Sequence, residues 1–320
     1  MNNSILVLMS TYNGEKYIEE QILSVFNQTN VTVRLFIRDD GSKDKTIDII
    51  KSMIRKGYSI ELYSGENVGV KQSFQYLINQ ADTFEYYAFC DQDDIWYPDK
   101  LDIAIKCINK HSKDDLPVLY CCNQECVDSE GKNPKIRFSQ DFSQDNVINT
   151  LLGNQISGCT MVFNDELIKC LRKTYEYAKM ENKRILFMHD TWTLLVAQTA
   201  GLAIYDCIPH MAFRRHGNNV TESDVYSSMK FRKKIDMWIH KLRTYISTFD
   251  DHGSLSYACD VLVKCFRNTI SEEDCNNLIL IRDYKKSFIK WISAIRGKGI
   301  KQYYSSPKSR IYIKFILRVY

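Results

Sequence analysis

No run of eighteen apolar residues occurs anywhere in this 320-residue sequence, so nothing in it is expected to span a bilayer. The first ten residues lack a basic segment, and the apolar run at 5–9 is too short for a secretory signal. A cytoplasmic chain is therefore expected. Paired C-x-x-C spacing is also missing, although eleven cysteines are present. The tightest group, Cys121, Cys122 and Cys126, does not have the spacing of a zinc site. Reduced thiols serving as small buried hydrophobes are the expectation. Internal repeats and low-complexity linkers are absent as well. What remains is a chain of ordinary composition, 44% hydrophobic and 26% charged, able to bury one core or one core plus an accessory unit.

The charge is unevenly placed. Residues 226–320 carry 19 Lys and Arg against 8 Asp and Glu, whereas residues 1–225 carry 24 against 31. An acidic part at 1–225, followed by a basic region at 226–320 facing phosphates or simply solvent, is the division this suggests.

Along the first 110 residues, apolar runs alternate with helical patterns. Residues 5–9 read as a buried strand, and Ile18, Ile22, Val25 and Phe26 share one helix face. Strands at 31–37, 60–63 and 86–90 follow, each trailed by a helical pattern. Pro98 suits the opening of the last of these helices. Such alternation argues for an α/β fold with a parallel sheet. Ligands gather beyond the carboxyl ends of such strands. The polar clusters at 11–13, 39–42, 67–69 and 91–94 all stand at strand ends, so they would share one rim. Later strands are expected at 118–122, 158–163, 204–208 and 211–215, the last two meeting at Pro209. A helix begins near His189 and Asp190, and beyond residue 226 only helical patterning is visible, Phe231, Ile235 and Trp238 being one example.

Asp91, Asp93 and Asp94 put three carboxylates into four residues. At a buried strand end their repulsion calls for a cation, and Mg²⁺ or Mn²⁺ shared with substrate phosphates is the natural one. A solvated acidic turn is the plain alternative. An EF-hand would need glycine and glutamate where Trp96 and Asp102 stand, and an aspartyl phosphatase motif would not continue into Ile95. Asp39 and Asp40 could hydrogen-bond a nucleoside or form a simple turn. Thr11, Tyr12 and Asn13 could hold a base or cap a helix. Asp190 could cap its helix or accept a proton from a hydroxyl. Arg214, Arg215 and His216 could grip a diphosphate or metal, or form a basic surface loop.

Taken together, S-T-Y-N-G at 10–14, R-D-D-G-S-K-D-K-T at 38–46, N-V-G at 67–69 and C-D-Q-D-D-I-W-Y-P-D-K-L at 90–101 resemble the family 2 glycosyltransferases. H-D-T-W at 189–192 and R-H-G-N-N at 215–219 extend the likeness over roughly residues 3–220. The form of these motifs is similar to bacterial rhamnosyltransferases of surface polysaccharide assembly. The resemblance implies a GT-A fold over 1–225, a Rossmann-like and mostly parallel sheet flanked by helices, with a helical basic extension at 226–320. It implies inverting, metal-dependent transfer from a nucleotide-diphosphate sugar, with dTDP-rhamnose the narrower donor. It implies a nucleotide site at Thr11, Tyr12, Asn13, Asp39, Asp40 and Asn67, and a metal and ribose-phosphate motif at Asp91, Asp93 and Asp94. It makes Asp190 the catalytic base, places His216 near the diphosphate or metal, and leaves His189 and Trp192 to meet the acceptor. Many members carry Glu-Asp where this chain has His189 and Asp190. A Q-x-x-R-W helix of processive synthases is absent, which implies addition of a single sugar.

Residues 298–320 mix cations with aromatics, among them Tyr303, Tyr304, Arg310, Tyr312, Lys314, Phe315, Arg318 and Tyr320. Such a segment suits helix packing or the anionic inner face of a membrane, where a lipid-linked glycan acceptor would be met. No nucleic-acid-binding module is present to suggest that partner. Two other classes fit parts of the pattern. A sugar-phosphate nucleotidyltransferase would want a G-x-G-T-R-type start, which is missing. A non-catalytic nucleotide-sugar-binding module would have no need of Asp190.

Overall fold

Ile5, Val7 and Met9 project from one face of strand β1 (Ser4–Thr11) and Leu6 and Leu8 from the other, and all five are buried. A strand covered on both faces belongs in the middle of a sheet with helices on each side. The computed structural model, which describes residues 3–111, 115–136, 147–152, 156–216 and 254–283, has that arrangement.

Strands β2 (Thr32–Asp39) and β4 (Tyr86–Cys90) flank β1 in parallel, and β3 (Ile60–Ser64) lies parallel outside β2. Helices α1 (Ile18–Phe26), α2 (Thr46–Arg55) and α3 (Val70–Gln80) connect them. The chain continues through β5 (Ile95–Trp96), α4 (Lys100–His111), β6 (Val118–Val127), β7 (Lys135–Ile136) and α5 (Val147–Leu152). Then come β8 (Met161–Asn164), α6 (Asp165–Met180), α7 (His189–Ala200) and β9 (Leu202–Arg214). The strand order is β3-β2-β1-β4-β8-β6-β9-β5, with β7 paired to β6. Helices α1, α2 and α4 cover the Ile5–Val7–Met9 face through Ile22, Ile50 and Leu101. On the opposite face α3, α6 and α7 pack together, bringing in Phe74, Leu171 and Trp192.

Two sequence expectations change, while the first four strands are parallel as expected and β8 runs antiparallel between β4 and β6. Residues 158–160 form a 3₁₀ turn, and the strand begins at Met161. The two short strands expected around Pro209 are one strand, β9. Its pairing with β6 shifts register on both sides of Asn123, the residue opposite Pro209, and an irregular pairing tolerates the missing proline N–H.

The chain divides into two compact units, Met1–Arg214 and Arg215–Tyr320. In the second, α8 (Ser254–Phe266) packs on α9 (Glu272–Asp283) through residues such as Cys259, Leu262, Leu278 and Ile281. The patterns read at 231–238, 217–219 and 298–320 lie outside the described residues. Among the described residues no helix is long and apolar enough to cross a membrane.

Candidate active site

The parallel registers set the site. Thr11 lies opposite Asp39, Asp39 opposite Ser64, and Met9 opposite Cys90, so the loops after β1, β2, β3 and β4 leave at one rim. Backbone and short side chains stitch these loops together. The Thr11 hydroxyl donates to Asp39 Oδ2 at 3.0 Å, and the Ser42 hydroxyl donates to the same oxygen. Asp39 Oδ1 accepts the amides of Gly41 and Ser42. Asn13 sits at φ 48°, a left-handed conformation that Asn tolerates better than most residues. There its amide N–H donates to Ser42 Oγ at 2.9 Å, while its side-chain oxygen accepts the Lys43 amide. Thr11, Tyr12 and Asn13 do not cap α1, whose N-terminal flanking residue is Tyr17. The Tyr12 backbone exchanges two hydrogen bonds with the Gln92 side chain, tying the β1 loop to the acidic loop, and Tyr12 as a whole is 46% exposed.

Asp40 is the brace on the far side. Its carboxylate pairs with buried Arg38 and accepts the amides of Val68 and Gly69, both at 2.8 Å. Exposed Asn67 precedes those two amides. Replacing Asp40 with alanine strands a buried guanidinium and two amides. Asp40→Ala is therefore expected to lose about 3–5 kcal/mol of stability, read by chemical or thermal unfolding. Wild-type stability in that variant would show that the brace contributes nothing.

Asp91, Asp94 and Cys159 each bring one ligating atom to within 4.8 Å of the others. Asp94 is fully buried; its Oδ1 accepts the Arg214 amide at 3.1 Å, and its Oδ2 has no hydrogen-bond partner. Burial, and then the charges of Asp93 and Asp190, push the Asp91 carboxyl up to about 7. Burial, then Asp93 and Asp91, push Asp94 well above the ordinary carboxylate range. An orphaned buried oxygen among mutually repelling carboxylates is the environment that a divalent cation relieves, and oxygen ligands are what Mg²⁺ and Mn²⁺ prefer. Burial and the two carboxylates also push the Cys159 thiol well up. It is thus a neutral neighbour of the acids rather than a thiolate.

Asp190 stands in the first turn of α7, half-buried, with its Oδ1 accepting both the amide and the hydroxyl of Thr191. The capping position belongs to Met188, so Asp190 is not the N-cap. Its charge acts on Asp91, which puts the two acids in one field. The neighbours of Asp190 point inward. Trp192 is 0% exposed and donates its indole N–H to Thr174 on α6 at 2.9 Å. His189 is buried with its ring stacked on Phe74.

Arg214 also turns inward rather than forming a basic surface loop. It pairs with Glu20, donates to the carbonyls of Asp93 and Ser129, and lies over the Tyr17 ring, so it staples the acidic loop from behind. His216 belongs to the second unit. Gln92 and Cys159 were not singled out by sequence. Gln92 hides inside the acidic motif, and Cys159 lies far from it along the chain with no spacing to announce it.

The sequence profile described as Glycosyl transferase family 2 matches residues 6–172. The chain is 30% identical over 235 residues to the dTDP-rhamnosyl transferase RfbG of Shigella flexneri, an alignment covering 70% of this chain and 77% of that protein. It is also 30% identical over 205 residues to an uncharacterized glycosyltransferase of Haemophilus influenzae, covering 58% and 76% respectively. Among solved structures it is similar to S. aureus TarS, with a TM-score of 0.57 over 94% of this chain and 47% of that one. At 16% identity that likeness concerns the fold alone. The strand-end rim, the acidic cluster, the profile match and the Shigella relative agree: the chain belongs to glycosyl transferase family 2 and is a sugar-transferring enzyme with a GT-A-type α/β fold.

Proposed function

We propose that this enzyme moves a single sugar from a nucleotide-diphosphate donor to an acceptor hydroxyl in one in-line displacement, inverting the anomeric configuration. The observation that carries the reading is the shared field of Asp190 and the acidic cluster, which suits a base working beside a diphosphate-and-metal site. Asp190 takes the proton from the acceptor hydroxyl as its oxygen bonds to the anomeric carbon. The bond from that carbon to the diphosphate oxygen breaks, and its electron pair leaves with the nucleotide.

Asp91 and Asp94, with Asp93 beside them, would hold Mn²⁺ or Mg²⁺. Such an ion, when bound, neutralises charge growing on the departing diphosphate. The ring of exposed Tyr12 is the stacking surface for the base. Thr11, Asn13, Asp39, Asp40 and Asn67 shape the nucleoside pocket around it, chiefly by holding the loops. For His216 the diphosphate role rests on its sequence motif alone.

The donor we favour is dTDP-rhamnose, on the strength of the Shigella relative's name and identity. The acceptor we favour is a glycan or lipid-linked intermediate of bacterial surface polysaccharide. The basic composition of residues 226–320 supports work at an anionic inner membrane face. The test is a donor screen: full-length protein with Mn²⁺ or Mg²⁺, an acceptor mixture and each common nucleotide sugar, following nucleoside diphosphate release. Release from dTDP-rhamnose, abolished by chelator and by Asp93→Ala, is the expected result. Release from a UDP-sugar alone would discard rhamnose, and a product retaining the donor's configuration would discard the displacement.

A further inference from the structure

We infer that His189 is a positioning residue for Asp190, its ring wedged so that the first turn of α7 is held in register with the turn that carries Cys159. The inference rests on the reading of Asp190 as the base. The ring is boxed on three sides by three different elements. Its face stacks on Phe74 of α3, centroids 3.6 Å apart and planes 17° from parallel. Phe89 of β4 meets it edge-on at 4.9 Å and 87°. Its Nε2 edge abuts Gly158, where an added Cβ would lie 2.4 Å from Nε2 and 3.2 Å from Cδ2.

This packing uses the shape of the imidazole and not its polarity. His189 is 5% exposed, and neither Nδ1 nor Nε2 has a hydrogen-bond partner. An acceptor sugar thus finds no nitrogen to bind. Burial also holds the ring's pKa down at about 4, so it stays neutral where the enzyme would work. An imidazole is the smallest aromatic side chain, with flat faces for Phe74 and a narrow edge for Gly158. A benzyl ring would overfill the gap, and an aliphatic chain would lose the stack.

The consequence runs in two directions along the chain. Asp190 follows His189 in the first turn of a helix, so a displaced ring displaces the carboxylate. Cys159 follows Gly158 and is the third corner of the acidic cluster. The one contact therefore sets the base and the acids relative to each other. A misplacement of about 1 Å at a reacting group lowers rate without weakening ground-state binding.

The experiment measures kcat, KM for both substrates and donor Kd by calorimetry for His189→Ala, Gly158→Ala and the double variant, with Asp190→Asn alongside. Each single change is expected to lower kcat tenfold or more while donor Kd and KM stay within about twofold. The double variant is expected to be no worse than the worse single, because the added methyl and the missing ring act on one contact. The pH profile keeps its shape, since a neutral ring contributes no titration to it. If His189→Ala does not fold, His189→Leu, which refills the volume without a flat ring, takes its place. Unchanged kcat, losses confined to KM or donor Kd, or losses that simply multiply would each overturn the inference. If Asp190→Asn is inactive while His189→Ala keeps wild-type kcat, this inference falls alone. If Asp190→Asn remains active, the reading of the base falls and the inference falls with it.

Discussion

Asp190→Asn lowers transfer by about 10²–10⁴-fold, the range expected when a general base is removed, and leaves donor binding within twofold. The amide matches the carboxylate in size, so α7 keeps its packing through Trp192 and His189. What is lost is the ability to take a proton from the acceptor. At about 1.4 kcal/mol per decade, the loss corresponds to roughly 3–5 kcal/mol of transition-state stabilisation. Single-turnover rates at saturating donor and acceptor, with donor Kd measured in parallel, decide the matter. A variant with wild-type turnover would remove Asp190 from the chemistry. The substitution has a second consequence at the acidic cluster. The Asp190 charge is one of the causes that raise Asp91, so the neutral amide lets the Asp91 carboxyl fall towards its usual range. The pH at which protons begin to compete with metal for Asp91 is therefore expected to move down in this variant.

The chelated enzyme becomes less stable as pH rises from about 4 to about 7, as far as Asp91 contributes. Its carboxyl is pushed up to about 7 in the folded protein, against an ordinary value of 3.8. Across that window the folded state binds more protons than the unfolded state, so the unfolding free energy falls with rising pH. Above pH 7 the penalty is fully present, because both states are ionised and only the folded one confines the charges. Asp94 acts with the same sign, raised first by burial and then by its acidic neighbours. Mn²⁺ or Mg²⁺ opposes the effect, since a cation bound by the folded state alone at about 100 times its Kd adds about 2.7 kcal/mol. Thermal midpoints with chelator are thus expected to fall between pH 6 and pH 7 relative to Asp91→Asn, and added metal at pH 8 is expected to restore several degrees. A chelated wild-type midpoint that tracks Asp91→Asn across the whole range would show that the acids are not in conflict. Metal affinity measured by calorimetry is expected to weaken on acidification through pH 7, because binding must displace a proton.

The first four strands and their parallel direction were legible because each signal is local, whereas their order in the sheet came from the structure. Residues 5–9 form a continuous apolar run, the helical stripe at Ile18, Ile22 and Val25 has the right period, and each run halts at turn-forming polar residues. Parallel strands then bring those halts to one rim without further information. The acidic motif announced itself for a similar reason: carboxylates adjacent in sequence repel wherever they are placed. Asp190 was legible as a candidate from its motif, but that it does not cap its helix was not. The last residue before a helix depends on backbone dihedrals, and there Met188 takes the position.

Side-chain direction was the information that motifs did not carry. His189 and Trp192 stand in the same motif as Asp190, yet one packs on Phe74 and the other bonds to Thr174, while Asp190 stays half-buried beside the acids. Arg214 reads as a surface cation and is instead a buried staple between Glu20 and the acidic loop. Pro209 reads as a break between strands, but the shifting register opposite Asn123 absorbs it. Apolar periodicity and turn residues, which act over a few positions, were enough to determine the α/β class, the rim and the acid-rich loop. Only the tertiary structure could bring Cys159 to Asp91 and Asp94, turn Arg214 inward, and set His189 against Gly158. Those contacts join segments tens of residues apart, and which way a side chain faces is settled by what the packed sheet and helices leave room for.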